Sequence, residues 1–318
     1  MTFTSPTGIR NGFGQALVEL GRTNPDVVAL TADLADPTRV RRFAEKFPDR
    51  FFQMGISEND MIGTAAGLAL GGKIPFATTF AIFGTSLANQ PVRLHLGYNH
   101  FNVKLVCSHG GVTVGPDGAT HQAFEDLALM RLIPGLTVVA PCDANEAYKA
   151  TLAIAEYDGP VYMRVGRIDT PIVTAAESPF TLGKANVLRD GDDLALFCVG
   201  SMVPTSLEAA DVLADRGINC RVVNVHTLKP LDEKAVLDAT RACGAVVTAE
   251  EHSVLGGLGS AVAEVLCCLA PAPVEMVGVN DTFGESGEPD EILSKYGLTS
   301  EAIVDAALRA VSRKGSAG

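Results

Sequence analysis

Apolar residues recur along this chain at two spacings, and the alternation between them lays out the fold. Phe13, Ala16, Leu17 and Leu20 fall at i, i+3, i+4 and i+7, the stripe of an amphipathic helix, and Gly21 with Pro25 ends it. The apolar run 27–30 predicts a short buried strand. A helix is expected over 37–47, with proline at its start, and a strand at 51–54. Residues 58–70 are rich in Ala, Gly and Ile and apolar all round, which predicts a buried helix. Strands at 74–79, 103–107, 136–140 and 161–165 then alternate with helical runs at 81–96, 124–132 and 144–156.

Residues 166–183 lose this periodicity and carry Asp169, Pro171, Ser178 and Pro179, the composition of an interdomain linker. A second alternation follows, with strands at 194–199, 220–225, 245–248 and 274–279 and helices near 205–216 and 232–242. A further helix carries Leu258, Ala261, Val262, Val265, Leu266 and Leu269 on one face, and helical segments close the chain. The expected fold class is α/β, with two domains at 1–165 and 184–318, each a mainly parallel sheet with helices on both faces.

Composition narrows the function. A chain of 318 residues with 47% hydrophobic content can bury two cores. With 37 acidic against 25 basic residues the net charge is −12, which argues against nucleic acid as a partner. The local cluster Arg39, Arg41 and Arg42 reads as a solvated helix face. Seven cysteines include no CxxC pair, and adjacent Cys267 and Cys268 are expected to pack as small hydrophobes, a usage that fits a reducing cytoplasm. No leader-like start and no membrane-length apolar run are visible, so neither export nor a membrane partner is expected.

Candidate chemistry gathers at strand ends, the edge where open α/β sheets bind ligands. The first group is Ser108-His109-Gly110-Gly111 continuing to Gly115-Pro116-Asp117-Gly118-Ala119-Thr120-His121-Gln122, a glycine-rich loop with two imidazoles and a carboxylate. It is either a turn bonded to its own backbone or a ligand loop. The second is Met54-Gly55-Ile56-Ser57-Glu58-Asn59-Asp60. Ser57 and Asp60 have the spacing of a capping box, and Glu58, at the mouth of a buried helix, stands where an apolar site favours its neutral form. The third is Thr79-Phe80-Ala81-Ile82-Phe83, which serves as core or as a flat aromatic platform. Arg10, His109, Arg164 and Arg167 are scattered cations that suit salt bridges or bidentate binding of a phosphate. Gly12-Phe13-Gly14 lacks the strand that a dinucleotide loop requires, and Gly256-Gly257-Leu258-Gly259 reads as a turn with close packing. The spacing of His109, Asp117 and His121 matches no common zinc motif, so no metal ligand is assigned in this chain.

Together with Thr248-Ala249-Glu250-Glu251-His252-Ser253 and Phe283-Gly284-Glu285-Ser286-Gly287, these strings resemble the C-terminal half of a transketolase over nearly the whole chain. The resemblance implies thiamine diphosphate as cofactor. It implies that Glu58 hydrogen-bonds the aminopyrimidine, that Phe83 stacks on it with Phe80 beside, and that Asp33 lies near the thiazolium. His121 matches a histidine at the substrate carbonyl, Asp117 a residue on a substrate hydroxyl, and Arg10, His109 and Arg164 positions that hold a sugar phosphate. The family's GDG…N diphosphate and metal motif is absent. A separate N-terminal-half subunit is therefore expected to supply it with the divalent cation, Mg or Ca, in an α2β2 heterotetramer that transfers a two-carbon ketol unit. Gly84, Thr85 and Ser86 stand where many relatives carry an Arg or Tyr. This weakens the alternative of a deoxyxylulose-phosphate-synthase-like enzyme. The Asp117/His121 pair weighs against a 2-oxo acid dehydrogenase E1 β-like subunit, and the intact set of site residues against a non-catalytic paralogue.

Overall fold

The computed structural model describes residues 2–314 and contains two sheets of mainly parallel strands wrapped by helices. The first sheet runs Thr227–Lys229, Thr137–Val139, Val161–Val165, Lys104–Ser108, Ile74–Phe80, Val27–Thr31, Phe51–Gln53. From Val27–Thr31 the chain goes outward to Phe51–Gln53, then back across to Ile74–Phe80. The boundary between Val27–Thr31 and Ile74–Phe80 is thus a topological switch point, where such sheets open a ligand crevice. Helices Ile9–Thr23 and Ala144–Glu156 cover one face of this sheet; Glu58–Leu70 and Asp126–Leu132 cover the other. The strands are Val-, Leu- and Ala-rich and almost wholly buried, as burial on both faces requires.

The second sheet runs Val274–Val279, Val246–Ser253, Leu194–Cys198, Cys220–Asn224, Asn186–Arg189, the last strand antiparallel. Thr227–Lys229, from the second half of the chain, crosses back to pair antiparallel with Thr137–Val139 in the first sheet. One apolar cluster runs through both halves, from Leu30, Met61 and Ile62 to Phe197, Val225 and Leu258. The two sheets are therefore welded along a seam.

Several local expectations change. The helix expected over 37–47 shrinks to Arg41–Lys46, because Arg39 takes a left-handed φ of 68° that no helix accommodates. The run 81–96 is helical but irregular, with wide turns at Phe83–Leu87 and Val92–Tyr98. Glu58–Leu70 is buried on one face only; Leu70 is 74% exposed and neighbouring Ile56 85%. Ser57 makes no side-chain cap, so the capping box is not formed. Cys267 and Cys268 are exposed, since both fall off the buried stripe of Leu258–Leu269 that Leu258, Ala261, Val262 and Leu266 define. The segment 166–183 is strapped down. Asp169–Thr170 pairs with Thr7–Gly8, and the buried Asp143 carboxylate accepts from Val173 N, Thr174 N and Thr174 Oγ1 at 2.9, 2.6 and 2.8 Å. No helix among the described residues is long and apolar enough to cross a membrane.

Candidate active site

Parallel strands deliver their carboxyl ends to one edge, and that edge collects the rim groups. Glu58 opens helix Glu58–Leu70, is 4% exposed, and accepts from Thr79 Oγ1 at 3.3 Å at the end of Ile74–Phe80. Phe80 ends the same strand; its ring lies over His109 with centroids 3.9 Å apart, and Phe83 follows 6.0 Å away, nearly parallel to it. His121 meets the Phe83 ring edge-on at 5.4 Å and that of Phe80 at 6.3 Å. Its Nδ1 is 2.9 Å from Thr120 Oγ1, and Nε2 has no partner among the described residues. Asp117 sits exposed on the loop between, and Asp33 is exposed at the end of Val27–Thr31 with a φ of 58°. Gln53, which sequence reasoning missed, ties this margin together. Its Oε1 accepts from Asp33 N at 2.8 Å and Gly55 N at 3.3 Å, while its Nε2 donates to Asp33 Oδ1 at 3.2 Å. Its place at the end of the predicted strand 51–54 was the available signal.

One corner of the rim is cationic. Arg10, in the first turn of Ile9–Thr23, donates to Pro37 O at 2.8 Å and approaches His109 Nε2 at 3.4 Å. An Arg donates only, so Nε2 is the acceptor and Nδ1 carries the proton facing Ser108 Oγ at 2.7 Å. His109 is 3% exposed, and burial together with Arg10, Arg167 and Arg39 pushes it down to about 3. It is neutral at ordinary pH and brings shape and a hydrogen bond, not the charge its sequence position suggests. The charge comes from Arg10, Arg39 and Arg167. Burial and the other two guanidiniums lower Arg10 to about 10. The buried Nε atoms of Arg10 and Arg39 have no partner among the described residues. Arg39, expected on a solvated face, is turned toward this corner by its left-handed backbone.

Arg164 lies apart from this corner. Its side chain is 9% exposed and enters the seam between the sheets. Its Nη2 donates to Glu251 O at 2.7 Å, and its Nε lies 3.6 Å from Asp126 Oδ2. Burial opposes its charge, but Asp126 and Glu251 more than offset that and raise its pKa. Tyr162 donates to Asp126 at 2.6 Å. Nearby, the Glu250 carboxylate, its pKa raised by burial, accepts from Leu258 N and Gly259 N at 2.7 and 2.8 Å and so caps Leu258–Leu269. Gly257 is glycine because a Cβ there would overlap that carboxylate, which accounts for the close-packed turn. Arg164 is thus held by structural partners in the seam, away from the cationic corner.

An acidic and aromatic rim beside a cationic corner, gathered at one sheet edge, makes a candidate binding site. Sequence profiles agree: the transketolase pyrimidine binding domain matches residues 6–172 and the transketolase C-terminal domain residues 183–303. A putative transketolase C-terminal section of Methanocaldococcus jannaschii is 44% identical over 299 residues, 93% of this chain and 94% of that protein. A 6-deoxy-6-sulfo-D-fructose transketolase subunit of Clostridium sp. (strain MSTE9) is 44% identical over 306 residues, 96% of this chain and 95% of that one. Among solved structures, a split-gene transketolase described as an inactive β4 tetramer superposes with a TM-score of 0.91 at 48% identity, covering 96% of this chain and 99% of that one. The chain belongs to the transketolase family, whose members depend on thiamine diphosphate. Within it, this chain is a β-type subunit of the split transketolases, a transferase built to work with a partner chain.

Proposed function

We propose that this chain supplies the pyrimidine and substrate side of a two-chain site that moves a two-carbon ketol unit between sugar phosphates. The observation that carries this reading is the meeting of buried Glu58, the Phe80/Phe83 rings and His121 at one sheet edge, beside a corner of crowded guanidiniums in which the Nε atoms of Arg10 and Arg39 have no partner among the described residues. The residues fit the cofactor: a sequestered carboxyl for a ring nitrogen, a flat aromatic face for a heterocycle, and an open side toward a second chain. Thiamine diphosphate, when bound, supplies the carbon that carries the transferred fragment. Glu58 hydrogen-bonds the pyrimidine nitrogen. Phe83, backed by Phe80, holds the ring flat, and Asp33 borders the thiazolium side. His121 offers Nε2 to the oxygen that develops charge, and Asp117 takes a substrate hydroxyl. Arg10 and Arg167, with Arg39 and neutral His109, seat the anionic end of the sugar. Their planar, forked donors suit a phosphate or a sulfonate alike.

The partner chain carries the diphosphate site and its divalent cation, Mg or Ca. Exposed Ile56, Leu70, Leu87 and Tyr98 are apolar surface that chain contacts in an α2β2 assembly would cover. Free cysteines without a disulfide among the described residues fit a cytoplasmic enzyme. The test is reconstitution with an N-terminal-section chain, thiamine diphosphate, a divalent cation and a panel of ketose phosphates and sulfonates. Turnover should require both chains, and Glu58→Ala should lower kcat by about 10² to 10⁴-fold. Turnover by this chain alone, or an unaffected Glu58→Ala enzyme, would end the reading.

A further inference from the structure

The loop that bears Asp117 and His121 is held from the second sheet. Glu251, in strand Val246–Ser253 and 4% exposed, reaches across the seam, and its Oε1 accepts from Thr113 N and Thr113 Oγ1, both at 2.8 Å. Its Oε2 accepts from Ser201 Oγ, and its carbonyl oxygen accepts from Arg164. Gly111, at a φ of 85°, bends the loop around this carboxylate, and a Cβ there would overlap it. Beyond Thr113 the loop is held by tight turns, Gly118 N to Gly115 O at 3.1 Å and His121 N to Gly118 O at 2.9 Å, and by Arg167, which donates to Val114 O. Its far end is pinned from the same side, where Gln122 Nε2 donates to Glu285 O at 3.0 Å. Both roots of the loop that carries His121 are thus tied to the second half of the chain, one by strand residue Glu251 and one by Glu285 beyond the last strand.

We infer that Glu251 is a positioning residue: through Thr113 it fixes the loop so that His121 and Asp117 face the reacting centre. This rests on the reading of His121 and Asp117 proposed above. Glu58 and Phe83 belong to other elements, so cofactor affinity should not follow. In the reconstituted two-chain enzyme, Glu251→Ala should lower kcat about tenfold or more, since small misplacements of reacting groups are costly. Affinity for thiamine diphosphate should stay within about twofold, and amide exchange should quicken in residues 112–122 and not across the first sheet. Glu251→Gln should restore most of the rate, because its carbonyl can face Thr113 while its amide donates to Ser201. Thr113→Val, which removes one of the two bonds without emptying the seam, should give the same pattern at roughly threefold and decides the matter if Glu251→Ala does not fold. Unchanged kcat and exchange overturn the inference. So does a parallel loss of rate and cofactor affinity with exchange raised throughout, or a Glu251→Gln enzyme no better than Glu251→Ala. A His121→Ala enzyme of normal activity would remove the underlying reading instead; an inactive one beside a fully active Glu251→Ala removes this inference alone.

Discussion

Arg164 lies in strand Val161–Val165 and Arg167 two residues beyond its end, yet they belong to different kinds of chemistry. Arg164 is buried in the seam with Asp126 and the Glu251 carbonyl as partners. Arg167 is half-buried, donates to Val114 O, and stands with Arg10 and Arg39 around a neutral histidine. In the seam, positive charge is answered by carboxylates, and only Asp126 Oδ1 of that cluster lacks a hydrogen-bond partner among the described residues. At the rim, like charges crowd together and leave guanidinium nitrogens unanswered. An arrangement that costs stability in the isolated chain is reasonable where an anion completes it. The two clusters teach that the pairing of a cation, not its place at a strand end, separates a binding group from a structural one.

The largest effect should come from the seam. Arg164→Ala leaves Asp126 buried without its counter-charge and should destabilise the chain by about 3 to 5 kcal/mol, read as a lowered urea midpoint. A loss near zero would dissolve the distinction from one side. At the rim, pH reports on burial without substrate. His109 is held at about 3 in the fold against an ordinary 6.5, so below pH 6.5 the unfolded chain takes up a proton that the folded chain refuses. Stability should therefore be unaffected by this group above pH 6.5 and fall as pH drops from there toward 3. At pH 5 the loss is about 2 kcal/mol, and His109→Asn should remove that slope in urea titrations. The smallest stability change should come from Arg167→Ala, about 1 kcal/mol or less. That variant should instead raise KM for a phosphorylated ketose about tenfold, with little change for an uncharged ketose. Equal effects on both substrates would break the comparison from the rim side.

Much of this arrangement was legible before any coordinates. The alternation of strand and helix was readable because strands buried on both faces must be apolar runs and helices packed on a sheet must carry stripes. Glu58, Phe80, Phe83, His109 and His121 were recognisable together because each follows a predicted parallel strand, and parallel strands share one carboxyl edge. The left-handed turn at Arg39 was not legible: nothing in Pro37-Thr38-Arg39-Val40 marks it, and it reverses the side on which that arginine lies. The exposure of Cys267 and Cys268 was readable in principle from the stripe they fall off, but adjacency to Leu266 disguised it.

Sequence by itself determined the class of layer, the elements and the edge at which chemistry collects, since those follow from periodicity and chain direction. Tertiary structure alone decided which charges are paired, how Thr227–Lys229 joins the other half's sheet, and that Glu251 grips Thr113 from 138 residues away. The reason is physical. Periodicity is a local property of the chain, whereas the partner of a buried charge is chosen by whichever distant group the packed core brings within hydrogen-bond reach.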